Sequence, residues 1–523
     1  MPLYATLHLP ATARLRRCVC LVAFALLLTP TGSVGGGSSL VSGLRVTNGV
    51  GSGGGTSTTI SPDGDGFRDT ATLEFSLSGP ATVRVYIESL RYHGEVVLDR
   101  RFSLPAGRNT IVWRPSAGIP PRTYVVRLTV PGQRSASPIV APVVRVLGIE
   151  AAFGRESYRA QSLALLRVAT DQTDLALQFF RVSAFRSSLD ALGEPVSNPV
   201  AITTRRGRRS TLRVRIGDWP TGFYFARLTD GSGRFGYAPF VLRPRVLGEN
   251  RVAVVLPTYT WQAYNFRDAN RDGVGDTWYA RAGNRVLLGR PYLDRGVPPF
   301  FRRYDLAFLR WLARGDRAVD MLSDADLAAA PSPAHLAAAY DLLVFPGHHE
   351  YVTRREFDLV RGFRDRGGNL AFLSANNFFW RVDVRGRALV RVRRWRDLQR
   401  PEASLLGVQY LAGDHGERQA PFVVRKSAHA GWLFAGTGLR PGSRFGHFGI
   451  EIDVVTPASP PQTRVVAEIP NALGRGLTAQ MTYYESRAGA KVFSAGAFTL
   501  GGHANYEPVA TILDNLYRRL ANP

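Results

Sequence analysis

His348-His349-Glu350-Tyr351 is the stretch of this sequence best equipped for chemistry. Imidazole, carboxylate and phenol so close together can hold a metal ion or pass protons. Adjacent histidines point in different directions, so at most one faces a given ligand. The chain has nine histidines, and seven of them fall after residue 330. The bland reading is a polar loop with one histidine bonded to backbone. Two further candidates are Glu451, in Gly446-His447-Phe448-Gly449-Ile450-Glu451-Ile452-Asp453, and His503, in Gly501-Gly502-His503-Ala504-Asn505-Tyr506. Taken singly, each is more often a satisfied buried polar residue.

Asp268-Ala269-Asn270-Arg271-Asp272-Gly273-Val274-Gly275-Asp276 has oxygen-bearing side chains at alternate positions and glycine for a sharp turn, as a calcium loop requires. Asp268, Asn270, Asp272 and Asp276 would give side-chain oxygens and Val274 a carbonyl. Tyr279 stands where an EF-hand needs glutamate, so a single calcium-type loop is expected instead. Asp63, Asp65 and Asp69 repeat the theme more weakly and read as a turn at a strand entry.

Other chemistries drop out. Arg14, Arg16 and Arg17, then the apolar run Cys18–Leu28 and the small residues Ser33-Val34-Gly35, read as a signal peptide over residues 1–35, with an uncleaved anchor as the alternative. Both cysteines, Cys18 and Cys20, lie inside it, so an exported, processed chain has no disulfide, thiolate metal site or cysteine nucleophile. The turn at Ser374 carries no cysteine, and the chain has no Gly-x-Ser-x-Gly elbow, Walker loop or dinucleotide fingerprint. The net charge of +25 comes from 66 basic against 41 acidic residues. Nearly all the basic residues are arginines scattered over every segment, as a composition bias would leave them. No nucleic-acid partner is expected, and attraction to an anionic cell envelope is.

The elements that must position the candidates change character along the chain. Residues 36–57 are glycine/serine-rich and read as a flexible leader. Short alternating runs between turn formers predict one β-sandwich over 58–148 and a second over 149–247. From Arg251 strand and helix patterns alternate, and continuous apolar runs such as Asp341–Phe345 predict a parallel sheet covered on both faces over 248–523. Ligands of such sheets bind beyond the carboxyl ends of strands, where the Gly347–Tyr351 and Ser374–Trp380 turns fall.

Two resemblances sharpen this reading. Ser61-Pro62-Asp63-Gly64-Asp65-Gly66, Pro80-Ala81-Thr82-Val83 and Gly107-Arg108-Asn109-Thr110 occur as in the FlgD-type immunoglobulin-like domains of bacterial surface proteins. Thr258-Tyr259-Thr260-Trp261-Gln262-Ala263-Tyr264-Asn265, Tyr304–Leu312, the Gly347–Tyr351 turn, Gly368–Trp380, Val492–Gly496 and His503 follow the order seen in the N,N-dimethylformamidase large (beta) subunit. The fold class expected is therefore multidomain: two all-β immunoglobulin-like sandwiches, then an α/β, flavodoxin- or amidotransferase-like parallel-sheet domain. That family hydrolyses a small tertiary amide with one iron held by two tyrosines and a glutamate. The resemblance places Tyr351 and Glu451 as iron ligands, with His349 or Glu350 as proton shuttle. Phe379 stands where the second tyrosine belongs, so His349 or another group must complete the site, or iron is lost. A secreted amidase-like hydrolase of C–N bonds is the expectation, acting on a small-molecule or glycan substrate, with iron and calcium as cofactors. The competing expectation is a non-catalytic surface protein that binds a glycan or a protein.

Overall fold

Alternation of apolar and polar residues organises the first half of the chain. Ala71–Leu77, for instance, buries every second side chain. The structure is a computed structural model that describes residues 40–50, 55–91, 94–131, 141–188, 190–280, 283–426 and 430–521. The signal-peptide reading, with Cys18 and Cys20, falls outside them. No helix among the described residues is long and apolar enough to cross a membrane.

The first region is a β-sandwich. Strands Val41–Thr47, Ala71–Leu77 and Gly107–Trp113 form one sheet, and a five-stranded sheet centred on Thr123–Thr129 forms the other. Leu73, Phe75, Val85, Ile87 and Val126 fill the space between. The segment expected to be a flexible leader thus contributes a strand: Val41–Thr47 pairs antiparallel with Ala71–Leu77, because Val41 and Val46 are apolar side chains this core can bury. The second region is also two packed sheets, closed by Phe153, Leu166, Phe179, Tyr224 and Phe240. In both sandwiches a buried tyrosine bonds back to a proline carbonyl upstream: Tyr124 Oη to Pro120 at 2.8 Å and Tyr224 Oη to Pro220 at 2.6 Å. This tyrosine corner pins the chain where it crosses between sheets.

The second sandwich is not closed on its outer side. Its strand Gly222–Thr229 is buried along nearly its whole length, and Phe223 and Phe225 point away from their own sandwich. Phe223 packs 5.4 Å from Trp261 and 5.0 Å from Phe301, inside the core of the third region.

That third region mixes α and β. Its parallel strands are β1 (Val252–Leu256), β2 (Asp320–Ser323), β3 (Leu342–Phe345), β4 (Asn369–Phe372) and β5 (Lys491–Ser494), paired in the order 2-1-3-4-5. Successive side chains serve opposite layers. Val252, Val254, Leu342 and Val344 meet α2 (Leu306–Arg314) and α6 (Val509–Ala521) on one face, with Leu309, Leu312, Leu513 and Leu516. Ala253, Val255, Leu343 and Phe345 meet α3 (Asp324–Ala328), α4 (Pro333–Ala339) and α5 (Arg354–Arg364) on the other. Beyond β5 the sheet turns antiparallel and continues through Ala479–Glu485, Arg464–Ile469, Gln419–Val424, Arg444–Val454 and Gln409–Gly413. The expected parallel sheet is therefore only half of the whole. The Ser486–Ala490 connection is far too short for a crossover and forces a hairpin. The short helix α1 (Thr258–Ala263) follows β1 directly.

Candidate active site

The carboxyl ends of β1, β2, β3 and β4 converge on the turn Pro346–Glu350, at the point where the strand order reverses. Gly347 is required there by space: a Cβ would lie 2.0 Å from Asp305 Oδ1. The two residues that follow are both histidines, and they face opposite ways.

His349 faces inward. It is fully buried, and its Nε2 bonds Asp324 Oδ1 at 2.5 Å. The other Asp324 oxygen accepts from Thr258 Oγ1 at 2.8 Å and from the Tyr259 amide at 2.6 Å. Glu356 closes the group, and burial first, then the Asp324 charge, pushes its carboxyl well above the usual range. Thr353 and Glu356 also form the capping box of α5. Asp324, His349 and Glu356 each offer a ligand atom within 4.8 Å of the others, a spacing that suits a metal ion. All three are sealed from solvent.

His348 faces the opposite way, with Glu350. His348 Nδ1 points to the Ala375 carbonyl at 3.3 Å, and Nε2 lies 3.2 Å from both Tyr264 Oη and Glu350 Oε2. Donation from Nδ1 leaves Nε2 as an acceptor. Burial pushes the His348 pKa down to about 3, which keeps the ring neutral at physiological pH. Glu451 Oε2 is 3.8 Å from the same Nε2. Burial, reinforced by Glu451, holds Glu350 far above the ordinary carboxyl range, and burial raises Glu451 to about 7 against a hydrogen bond to Asn376. Two carboxyls this near each disfavour ionisation of the other. The Glu451 backbone is set by an uncommon neighbour: Ile450 is left-handed, at φ 63°, which is strained for a β-branched residue.

The remaining sequence candidates lie as follows. Tyr351 is buried beside Trp278 and feels the charge of Glu350 and Glu451. Phe379 packs on Tyr410 at 5.1 Å, and the Tyr410 hydroxyl reaches the space beside Gly413 and Glu451. His349 thus lies on the face of the turn away from Glu451, and Tyr410 is a phenol beside Glu451. His503 bonds the Thr499 carbonyl at 2.8 Å and packs on Phe448 rather than on this cluster. Asp268 accepts the amides of Arg271, Asp272 and Gly273, Asp276 accepts that of Ala269, and Asn270 donates to Asp272. The loop's oxygens are turned onto its own backbone, and Gly273 rests against Val143 of the first sandwich. The acidic trio that does gather within 4.8 Å is Asp63, Asp65 and Asp69, also a spacing for a cation. Arg234 and Arg206 of the second sandwich pair with Asp63 and Asp65.

Sequence reasoning did not single out Asp324, Glu356 or Tyr410 as parts of the site. Asp324 carried one signal, its place directly after the apolar run that forms β2. Tyr264 stood inside the Thr258–Asn265 stretch without a role assigned.

A cavity of about 480 Å³ opens onto the His348 face. Tyr264, Phe498 and Glu451 line it, and all three touch His348: Tyr264 and Glu451 at the distances above, and Phe498 with ring centres 4.6 Å apart. Its size is ordinary for a small-ligand site.

No curated protein matches the sequence. Among solved structures it has a distant likeness to the adhesin InvE of Yersinia pseudotuberculosis, at 14% identity over 41% of this chain and 64% of that one, with a TM-score of 0.16. Another is the native conformation of alpha-2-macroglobulin of E. coli, at 11% identity over 38% of this chain and 15% of that one, with a TM-score of 0.14. The chain spans less than two thirds of either protein, and such scores carry no argument about fold or role. The family model described as N,N-dimethylformamidase beta subunit-like, C-terminal, matches residues 209–505. The match starts within the second sandwich, whose Phe223 and Phe225 are part of the α/β core. More than half of the chain is covered, and it belongs to the N,N-dimethylformamidase beta subunit-like family.

Proposed function

We propose that this protein hydrolyses the C–N bond of an amide at the His348–Glu350–Glu451 cluster. The observation that carries the reading is that Glu451, 3.8 Å from His348 Nε2, lines a ligand-sized cavity, with Glu350 bonded to the same Nε2 behind it. The donors there fit a hard, oxygen-bound cation such as iron. Glu451 Oε2 is buried without a hydrogen-bond partner, and the phenols of Tyr351 and Tyr410 both feel its charge. Glu451, Tyr351 and Tyr410 are the residues that would hold it, and when bound it supplies Lewis acidity at the amide carbonyl. The protein's own groups handle the proton. As the water oxygen bonds the carbonyl carbon and the C–N bond breaks, the protonated Glu350 gives its proton to the departing nitrogen and recovers one from the added water. Tyr264 steadies Nε2 of His348 throughout. The sealed Asp324–His349–Glu356 group sits behind this turn and holds it in place.

Immunoglobulin-like sandwiches of FlgD type and a flavodoxin-like core are our reading of the β regions and the 2-1-3-4-5 sheet. The tyrosine corners and the strand order support it. Export to the cell surface rests on the N-terminal sequence.

Elemental analysis of the purified full chain for iron, zinc and calcium, together with turnover of simple amides, tests the reading. Glu451→Gln and Tyr351→Phe should each remove the transition metal and the activity. No turnover, with metal content unchanged by either substitution, would sink the hydrolase and leave a binding protein. Retention of the metal by those variants and its loss in Asp324→Asn would move the ion to the sealed group.

A further inference from the structure

The cavity walls are not all supplied by the α/β region. Arg91 and Arg122 belong to the first sandwich, and with Arg303 they put three guanidiniums around the cavity that Glu451 borders. Arg122 is the best anchored. It lies between Pro120 and Tyr124, the two ends of the tyrosine corner, so its backbone is fixed to the sandwich core. Its Nε is buried with no hydrogen-bond partner. Burial weighs against its charged form and lowers its pKa. Acidic groups stand nearby but are partly engaged elsewhere: Asp294 is 3.7 Å from Arg302, and Glu95 is 3.4 Å from Arg91.

A neutral amide would gain nothing from this arrangement and would leave a half-buried cation without compensation. A carboxylate would compensate it. Guanidinium and carboxylate match in shape as well as charge and bind through paired, charge-assisted hydrogen bonds. Resting on the hydrolase reading for the reacting bond, we propose that the substrate is an amide that also carries an anionic group, such as an N-acyl amino acid, and that Arg122, aided by Arg303, binds that anion. The first sandwich is then part of the substrate site rather than a spacer.

N-Acetylglycine and its neutral amide, N-acetylglycinamide, differ little in size and serve as probes. Titration calorimetry on the full chain should show the anion binding about tenfold more tightly, the value of one charge-assisted contact. Arg122→Gln should abolish that preference and Arg122→Lys should retain part of it. The exposed Arg303→Gln, which threatens no fold, should reduce it. Equal binding of the two probes, no binding of the anion at millimolar concentration, or a preference that survives both glutamine variants would overturn the proposal. Hydrolysis of the two probes is scored separately. An anion preference without turnover would sink the hydrolase reading alone, and equal turnover without preference would sink the anion site alone.

Discussion

Arg267 Nη1 donates to Glu150 Oε2 at 2.6 Å, and Arg145 donates to the same carboxylate. All three are buried, and they come from the α/β region, the second sandwich and the first. Burial alone would raise the Glu150 pKa, but the two arginine charges outweigh it and hold it at about 2. The folded value lies below the ordinary 4.5. The stabilisation is therefore complete above that pH and is lost as pH falls from 4.5 towards 2. Its size is about 3 kcal/mol. Urea unfolding across this window should show the loss, and Glu150→Gln should flatten it while lowering neutral-pH stability by about 3–5 kcal/mol, since two buried cations lose their partner.

Gly347→Ala should displace the Pro346–Glu350 turn, because the new Cβ would meet Asp305 Oδ1 at 2.0 Å. A loss of about 1–3 kcal/mol is expected, with weaker probe binding. Asp305→Ala in the same chain should restore much of both. Thermal melts of the two single variants and the double variant check this, and simple additivity would count against it.

The two faces of the turn should separate experimentally. Asp324→Ala leaves His349 without its partner in a sealed interior and should cost about 3–5 kcal/mol. Glu350→Gln replaces a proton-carrying carboxyl by an amide of the same shape. It should hold stability within about 1 kcal/mol and abolish turnover. Melting and turnover measured on both variants would show this, and a stable Asp324→Ala would overturn the positioning role.

Asp268→Ala should destabilise the protein by about 1–3 kcal/mol, since three backbone amides lose their acceptor. The loss should be the same in calcium and in EDTA. A wild-type melting temperature that falls in EDTA, and does so no longer in Asp272→Asn, would show that the loop holds calcium.

What the sequence disclosed follows from the range of the forces involved. Local patterns were readable: the apolar strand ending in Phe345, and the turn that places His348 and Glu350 at its carboxyl end. Phe379 was readable as a residue without a ligating group. The nearness of Tyr410 to Glu451 was not, because it depends on a register between strands far apart in the chain. Nor could alternation say which histidine faces the cavity; Asp324 and Ala375 decide that across the sheet. The Asp268 loop shows Asx-type hydrogen bonds to its own amides, which a plain turn and a calcium loop have in common.

Glu150 and the outward-facing Phe223 bear on how this chain could be cut or recombined. An excised 248–523 fragment would expose Trp261 and Phe301 to water, strand Arg267 without its counter-charge and lose Arg122 from the cavity wall. Grafting the C-terminal region onto another leader would meet the same three deficits. The modules of this protein are contiguous in sequence but not portable.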